Sequence, residues 1–124
     1  KDQEVLLIAL GSMVETAVAV RDMLKEHGIK SSLVNARFAT PIDQDLLHEY
    51  SSKCNLWVTL EENVKTGGFG EKVSSFLVEN NYNNVRQINV SIPDCFVEQG
   101  SPDQLKEHLG IDASSIYEKI IRNL

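Results

Sequence analysis

The sequence predicts an α/β fold, a three-layer α/β/α sandwich built on a mainly parallel sheet. Four short runs rich in apolar and β-branched residues alternate with segments of helical periodicity, which is the pattern of parallel strands joined by helical crossovers. The runs at 5–10 and 56–60 are apolar almost throughout rather than alternating, as in strands that are covered on both faces. A chain of 124 residues is long enough for one domain with its own core, so we expect residues 1–124 to form a single domain.

The first half of the chain supplies two strands and two helices. Residues 5–10 form the first strand, which the rules for such sheets place centrally. A capping box at Ser12 starts the following helix, and Gly28 ends it. A second strand follows at 32–36. Thr40, Pro41 and Asp43 suit the start of the second helix, which turns four side chains inward: Ile42, Leu46, Leu47 and Tyr50.

The second half repeats the pattern and adds two terminal helices. The strand at 56–60 leads into a helix that ends at Asn80 and Asn81 and buries Val73, Phe76 and Leu77. The strand at 85–90 is less apolar than the others, so we expect it nearer an edge of the sheet. A short helix covers 101–109. Asp112 caps the final helix, which carries Ile116, Ile120 and Ile121 at helical spacing.

Charge and composition exclude several classes of partner. The formal net charge is −6 and the pI is about 5.0, which argues against binding to nucleic acid or to an anionic membrane surface. No apolar run approaches the roughly 18 residues of a membrane span. Cys54 and Cys95 stand outside any Cys-x-x-Cys or metal-ligand spacing. They indicate two reduced thiols in a cytoplasmic protein.

The stretch at 56–73 has the layout of a loop between a strand and a helix. Glu61, Glu62 and Asn63 directly follow the third strand, and the glycines at 67, 68 and 70 precede the third helix. Ligands and partner surfaces of open α/β sheets collect at the carboxyl ends of the strands. We therefore expect this loop to belong to the working surface. Three interpretations of the glycines stay open: they shape a turn, they bind a phosphate, or they contact another subunit.

The glycine spacing is a poor match to a dinucleotide-binding fingerprint. Val73 stands where glycine or alanine allows close packing of helix on strand. Glu61, Glu62 and Glu71 add negative charge that opposes a phosphate. Adjacent residues of a strand point to opposite faces, so Glu61 and Glu62 make a poor acid/base pair, although one of them is placed to reach a neighbouring domain or subunit.

No catalytic constellation is complete in this sequence. His27, His48 and His108 lie near the ends of predicted helices without metal-ligand spacing, so we interpret them as surface residues. Ser12 lacks the second glycine of a nucleophile elbow. The residues alone therefore assign no catalytic, cofactor-binding or metal-binding side chain.

Four blocks of the sequence, in order, resemble one known family. They read LLIALGSMVETA, VNARFATPID, LWVTLEENVKTGGFGEKV and IPDCFVEQGS, with a closing LGID. The chain is similar over almost its whole length to the C-terminal domain of the 1-deoxy-D-xylulose-5-phosphate synthase family, and more distantly to the C-terminal domains of transketolase and of the β subunits of 2-oxoacid dehydrogenases. The resemblance implies the transketolase C-terminal domain-like fold, in which an antiparallel edge strand precedes the segment that matches this chain.

The resemblance also implies a larger enzyme around this domain. Such enzymes have three domains, form homodimers, and use thiamine diphosphate and Mg²⁺ to join pyruvate and D-glyceraldehyde 3-phosphate for isoprenoid, thiamine and pyridoxal biosynthesis. The Gly-Asp-Gly motif that begins the cofactor site is missing here, so this fragment is expected to hold no cofactor and to be inactive alone. A strand that begins within the first residues also fits an excised segment.

The partners that the resemblance implies are the N-terminal and central domains of the parent chain and its second subunit. The candidate contact loop comprises residues that follow the third and fourth strands: Glu61, Glu62, Asn63, Gly67, Gly68, Gly70, Pro93 and Asp94. Three alternatives stay open. These are a regulatory module that binds a small anion at the glycines, the C-terminal domain of another transketolase-like or 2-oxoacid dehydrogenase enzyme, and a separate subunit of a split enzyme.

Overall fold

The computed structural model describes residues 4–11, 13–35, 44–61, 69–91 and 112–124. Within these ranges the strands and helices alternate as the sequence predicts, which confirms the α/β fold. The bounds are β1 (Glu4–Ala9), α1 (Met13–Glu26), β2 (Lys30–Asn35), α2 (Gln44–Ser51), β3 (Leu56–Glu61), α3 (Phe69–Glu79), β4 (Arg86–Ser91) and α4 (Ala113–Arg122).

The four described strands form one parallel sheet in the order β2-β1-β3-β4. The first strand is an inner strand, as predicted. Among the described strands the fourth lies at an edge, also as predicted from its polar residues. Because every strand runs in the same direction, the carboxyl ends of β3 and β4 meet at one end of the sheet, where Glu61 pairs with Ser91.

Two apolar layers cover the two faces of the sheet. Alternation along β1 sends Val5, Leu7 and Ala9 to the face that α1 and α4 cover, and Leu6 and Ile8 to the face that α2 and α3 cover. Each face therefore has its own buried cluster, which completes the three-layer sandwich. No helix in the part of the chain that the structure describes is long and apolar enough to cross a membrane.

Two predicted helix ends are confirmed by their backbone geometry. Gly28 follows α1 with φ +75°, and Asn81 follows α3 with φ 60°. Both lie in the left-handed region that ends many helices. Asn81 is the described non-glycine residue that adopts a positive φ, a conformation that asparagine tolerates better than most side chains.

The final helix departs from its prediction in two details. Asp112 occupies the N-cap position of α4, but its side chain makes no capping hydrogen bond. One of its carboxylate oxygens is buried and has no hydrogen-bond partner among the residues that the structure describes. Ile116 and Ile120 are buried, whereas Ile121 is 38% exposed. Residues 116 and 120 are one helical turn apart and share a face, while residue 121 is rotated away from it.

Several predicted features lie outside the described residues. They are the caps at Ser12 and at Thr40, Pro41 and Asp43, and the helix at 101–109. Of the inward positions predicted for the second helix, Leu47 is buried, Leu46 and Tyr50 are half-buried, and Ile42 lies outside the described ranges.

Candidate functional site

The candidate site lies where α3 begins, at the carboxyl end of β3. Trp57, Thr59 and Glu61 alternate onto the face of β3 that α3 covers. Gln87 and Asn89 of β4 share this face, because Trp57 pairs with Gln87 and Thr59 pairs with Asn89 in register. We call Thr59, Glu61, Gly70, Ser74, Gln87 and Asn89 the polar seam.

Glu61 binds the first two backbone amides of α3. Its Oε1 accepts the N–H of Phe69 at 3.1 Å and its Oε2 accepts the N–H of Gly70 at 2.6 Å. The residue is only 3% exposed. The amides at a helix N-terminus have no partner within the helix and carry partial positive charge, so a buried carboxylate is stabilised there. One side chain of β3 thereby fixes the start of α3.

Gly70 allows α3 to approach β4 closely. A Cβ built on Gly70 would lie 2.3 Å from Oδ1 and 2.5 Å from Cγ of Asn89, far inside van der Waals contact. Gly70 lies within α3 and has no positive φ, so the prediction that it shapes a turn is wrong. The close packing of helix on strand, which the glycine fingerprint would place at Val73, occurs three residues earlier, at Gly70.

Side-chain amides and hydroxyls tie the same turn of α3 to the sheet. Gln87 Nε2 donates to the carbonyl oxygen of Gly70 at 3.0 Å and to Thr59 Oγ1 at 3.2 Å. Ser74 Oγ lies 2.6 Å from Gln87 Oε1 and 3.1 Å from the Gly70 carbonyl oxygen. The Thr59 hydroxyl donates to Asn89 Oδ1 at 3.0 Å. Thr59 is fully buried, and these bonds satisfy it.

This arrangement disfavours an anion site at the start of α3. A phosphate at a helix N-terminus needs the free amides of the first turn. The amides of Phe69 and Gly70 already donate to Glu61, whose charge would repel a second anion. The side chains of the polar seam are engaged with one another and with the backbone of α3, so none of them is a free nucleophile or base. Their role is to hold β3, β4 and the start of α3 together.

Metal ligation is also absent from the described part of the chain. Over those ranges, no three side chains of the types His, Cys, Asp or Glu are grouped so that they could hold a metal ion. The described residues therefore do not fit a Mg²⁺ site, and we assign no reaction step to them.

The structure brings together two of the predicted contact residues. Glu61 and Gly70 meet through the 2.6 Å hydrogen bond described above. The other six lie outside the described residues: Glu62, Asn63, Gly67, Gly68, Pro93 and Asp94. Their contact with a neighbouring domain or subunit stays a prediction.

Sequence reasoning missed Thr59, Gln87 and Asn89 as partners of the glycine region. A signal for them exists. Thr59 is the polar residue within the run LWVTL, and Gln87 and Asn89 alternate with Ile88 and Val90. Polar residues with a period of two on neighbouring parallel strands predict a polar line across one face of the sheet.

The histidine interpretations agree with the structure where it describes them. His27 and His48 are exposed. Nδ1 of His27 lies 2.9 Å from the carbonyl oxygen of Met23, and Nδ1 of His48 lies 2.5 Å from the Tyr82 hydroxyl. His108 lies outside the described residues, as does Cys95, while Cys54 is buried.

A separate open cleft of about 570 Å³ lies at the opposite end of the sheet. Three basic side chains line it, those of Arg21, Lys25 and Lys30. Asp22 also lines the cleft and offsets part of this charge, since its carboxylate lies 3.8 Å from the Arg21 guanidinium. The cleft borders the last turn of α1, where the carbonyl end of the helix offsets part of that positive charge. It shares no residue with the polar seam.

Sequence comparison relates the chain to one end of a much longer protein. It is 54% identical over 121 residues to the 1-deoxy-D-xylulose-5-phosphate synthase of Lachnoclostridium phytofermentans, covering 98% of this chain and 19% of the relative. It is 40% identical over 113 residues to the same enzyme of Desulforudis audaxviator, covering 91% of this chain and 18% of the relative. The chain thus spans about a fifth of the length of these relatives.

Structural comparison relates the fold of the chain to parts of transketolases. A split-gene transketolase, an inactive β4 tetramer, superposes with a TM-score of 0.85 at 30% identity over 98% of this chain and 39% of that one. Transketolase of Pichia stipitis in complex with sedoheptulose 7-phosphate shares the fold, with a TM-score of 0.63 at 16% identity over 98% of this chain and 16% of that one. The family model described as "Transketolase, C-terminal domain" matches residues 1–116. The chain therefore belongs to the transketolase C-terminal domain family.

Proposed function

We propose that this chain is the C-terminal domain of a thiamine diphosphate-dependent 1-deoxy-D-xylulose-5-phosphate synthase, and that it supports the assembly of that enzyme. One observation carries the proposal: the chain is 54% identical over 121 residues to such a synthase, and the match covers only 19% of that synthase. The two-carbon transfer from pyruvate to D-glyceraldehyde 3-phosphate would be a property of the whole enzyme, a cytoplasmic homodimer with thiamine diphosphate and Mg²⁺.

The described residues support a role in assembly rather than in chemistry. The carboxylate nearest the predicted loop, Glu61, is buried and bound to backbone amides. A side chain held in this way is a poor general base for a substrate. The split-gene transketolase relative is an inactive β4 tetramer, which agrees with the expectation that this part of the enzyme does not turn over alone.

Docking would use the loops that follow the strands. Residues 62–68 follow β3 and residues 92–94 follow β4, so both segments leave the sheet at the same end. This is the end at which open α/β sheets present their binding surfaces. We propose that these loops contact the central domain or the second subunit of the parent enzyme.

A calorimetric titration tests the cofactor half of the proposal. The 124-residue chain is titrated with thiamine diphosphate in the presence of Mg²⁺. We expect no binding heat, because the cofactor site would lie in the other domains. Saturable binding in the micromolar range would contradict the proposal.

A matched pair of variants in the full-length enzyme tests the docking half. Glu62→Ser with Asn63→Ser removes a carboxylate and an amide from the predicted contact loop. Glu79→Ser with Asn80→Ser removes the same two groups from exposed positions at the far end of α3. We expect the first pair, and not the second, to raise the dimer dissociation constant in sedimentation velocity across a dilution series. Equal dissociation constants for the two pairs would contradict docking through this loop.

A further inference from the structure

We infer that the open cleft at the opposite end of the sheet binds a phosphate group, either as the free ion or as the phosphoryl group of a small monoester. The cleft lies between the end of α1 and the start of β2. Its volume of about 570 Å³ falls within the roughly 300–1,000 Å³ of small-molecule sites. The inference does not depend on the proposed function, because it concerns side chains of this chain alone.

The charge of the cleft is opposite to that of the molecule. Its lining carries three positive side chains and one negative one, in a chain of net charge −6. Arginine and lysine can only donate hydrogen bonds, and the planar fork of arginine matches phosphate oxygens. A phosphate monoester carries close to two negative charges at neutral pH, so one such group balances the excess positive charge of the lining.

The fold brings the basic side chains together from two elements. Arg21 and Lys25 are four residues apart on α1 and therefore share one face of the helix, where two like charges repel each other. Gly28 has φ +75° and turns the chain after α1, so that Lys30 begins β2 beside the same end of the helix. An anion between these side chains would relieve their repulsion.

The sheet contributes a hydroxyl group and an apolar contact. Ser31 pairs in register with Val5, whose side chain lies on the face that α1 covers. The Ser31 hydroxyl therefore lines the cleft from the side of the sheet, where it can donate to a phosphate oxygen. Ile29 also lines the cleft and is half-buried, which gives the carbon part of a monoester a surface to lie against.

Stabilisation of the helix end does not explain all three basic residues. Cations stabilise a helix within its last turn, and of the three only Lys25 lies there. Arg21 precedes the last turn, and Lys30 belongs to β2. The carbonyl oxygen of Leu24 already accepts the N–H of Ile29 at 2.9 Å, so the backbone itself satisfies part of the helix end.

The single carboxylate of the cleft provides a variant of opposite sign. Asp22 lies 3.8 Å from the Arg21 guanidinium, and the two side chains are 64% and 44% exposed. An ion pair this exposed contributes little, so a bound anion can compete with Asp22 for Arg21. Removing the negative charge of Asp22 should therefore tighten binding of the anion.

The test titrates the isotopically labelled 124-residue chain with sodium phosphate at constant ionic strength and follows its backbone amides by NMR. We expect saturable shifts at residues 28–31 with a dissociation constant of about 1 mM or somewhat tighter. This is weaker than the micromolar cofactor binding that would contradict the proposed function, so the two results are distinguishable. The same spectra show whether each variant is folded.

Four variants separate a site from general attraction of anions. Lys25→Ala and Arg21→Met should each raise the dissociation constant about five-fold or more, and the methionine keeps the length of the aliphatic stem. Asp22→Asn should lower the dissociation constant about two-fold or more. Lys53→Ala removes the same charge from an exposed lysine that follows α2, on the other face of the sheet, and should stay within about two-fold of the wild type.

Glycerol 3-phosphate distinguishes the two sources of the phosphate group, with glycerol as its neutral control. Binding of glycerol 3-phosphate as well as phosphate assigns the cleft to monoesters, and binding of phosphate alone assigns it to the free ion. Shifts that do not saturate by about 20 mM phosphate would overturn the inference. An equal effect of Lys53→Ala and Lys25→Ala would overturn it too, because the attraction would then come from the charge of the whole chain.

Discussion

Replacing Gly70 by alanine places a methyl group in space that the Asn89 side chain occupies. The added Cβ would lie 2.3 Å from Oδ1 and 2.5 Å from both Cγ and Nδ2 of Asn89. Because carbon atoms pack best at about 3.5–4.0 Å, the Asn89 side chain must move away. Asn89 is exposed and has room to turn toward solvent, but it then loses the 3.0 Å hydrogen bond from Thr59.

The size of the effect follows from these opposing terms. Losing the Thr59–Asn89 hydrogen bond costs about 0.5–1.5 kcal/mol, and incomplete relief of the overlap adds to this within the roughly 1–3 kcal/mol typical of overpacking. Alanine regains up to about 1 kcal/mol over glycine within a helix. We expect Gly70→Ala to lower the free energy of unfolding by about 0.5–2 kcal/mol.

A double-mutant cycle with Asn89→Ala isolates the overlap. Without the Asn89 side chain the methyl group has space, so Gly70→Ala should become neutral or stabilising by up to about 1 kcal/mol. The two substitutions should therefore couple by about 1–2 kcal/mol. Urea unfolding of the four chains, followed by the fluorescence of the buried Trp57, measures each free energy.

The same urea measurements on a control substitution show whether the coupling is specific to Gly70 and Asn89. Ser75→Ala, at an exposed position of α3, should have the same small effect with and without Asn89. A coupling energy between residues 70 and 89 below about 0.5 kcal/mol, the usual error of additivity, would refute the close approach of α3 to β4.

Three further predictions concern single positions outside the polar seam. Asn81→Gly should keep or slightly raise stability and Asn81→Ala should lower it by about 1 kcal/mol, because φ is 60° at this residue; thermal unfolding of the two variants checks the sign. Ile120→Ala should cost about 2–5 kcal/mol and Ile121→Ala less than about 1 kcal/mol, since only Ile120 is fully buried, and urea midpoints measure the difference. Trp57→Phe should cost about 1–3 kcal/mol through a small cavity and the lost 3.1 Å hydrogen bond from Nε1 to the Cys54 carbonyl, which calorimetric unfolding detects as a lower Tm.

The sheet could be predicted from the sequence because periodicity and strand length determine it locally. Continuous apolar runs indicated strands covered on both faces, and the polar fourth strand indicated an edge, where β4 lies. Helix ends were predictable for the same reason: Gly28 and Asn81 adopt the positive φ that their residue types favour. Each of these inferences needs only neighbours along the chain.

The candidate site could be predicted only in part because it depends on contacts that are distant in sequence. The pattern placed Glu61 at a strand end, but its partner amides lie eight and nine residues later. Gly70 was predicted to be a turn residue, whereas a side chain at this position is excluded by Asn89, a residue of another strand. The distance between a helix and a strand is a tertiary property that local pattern does not contain.

The composition of the polar seam argues that it serves geometry more than stability. An apolar contact at the same position would stabilise the helix on the sheet without any need for matched hydrogen bonds. The chain instead uses a buried carboxylate, Glu61, and the amide of Gln87, whose hydrogen bonds hold a single turn of α3. Beside them the fully buried Thr59 donates to the amide oxygen of Asn89 within the sheet. Such networks are costly when any member is misplaced, so they favour one arrangement over near alternatives.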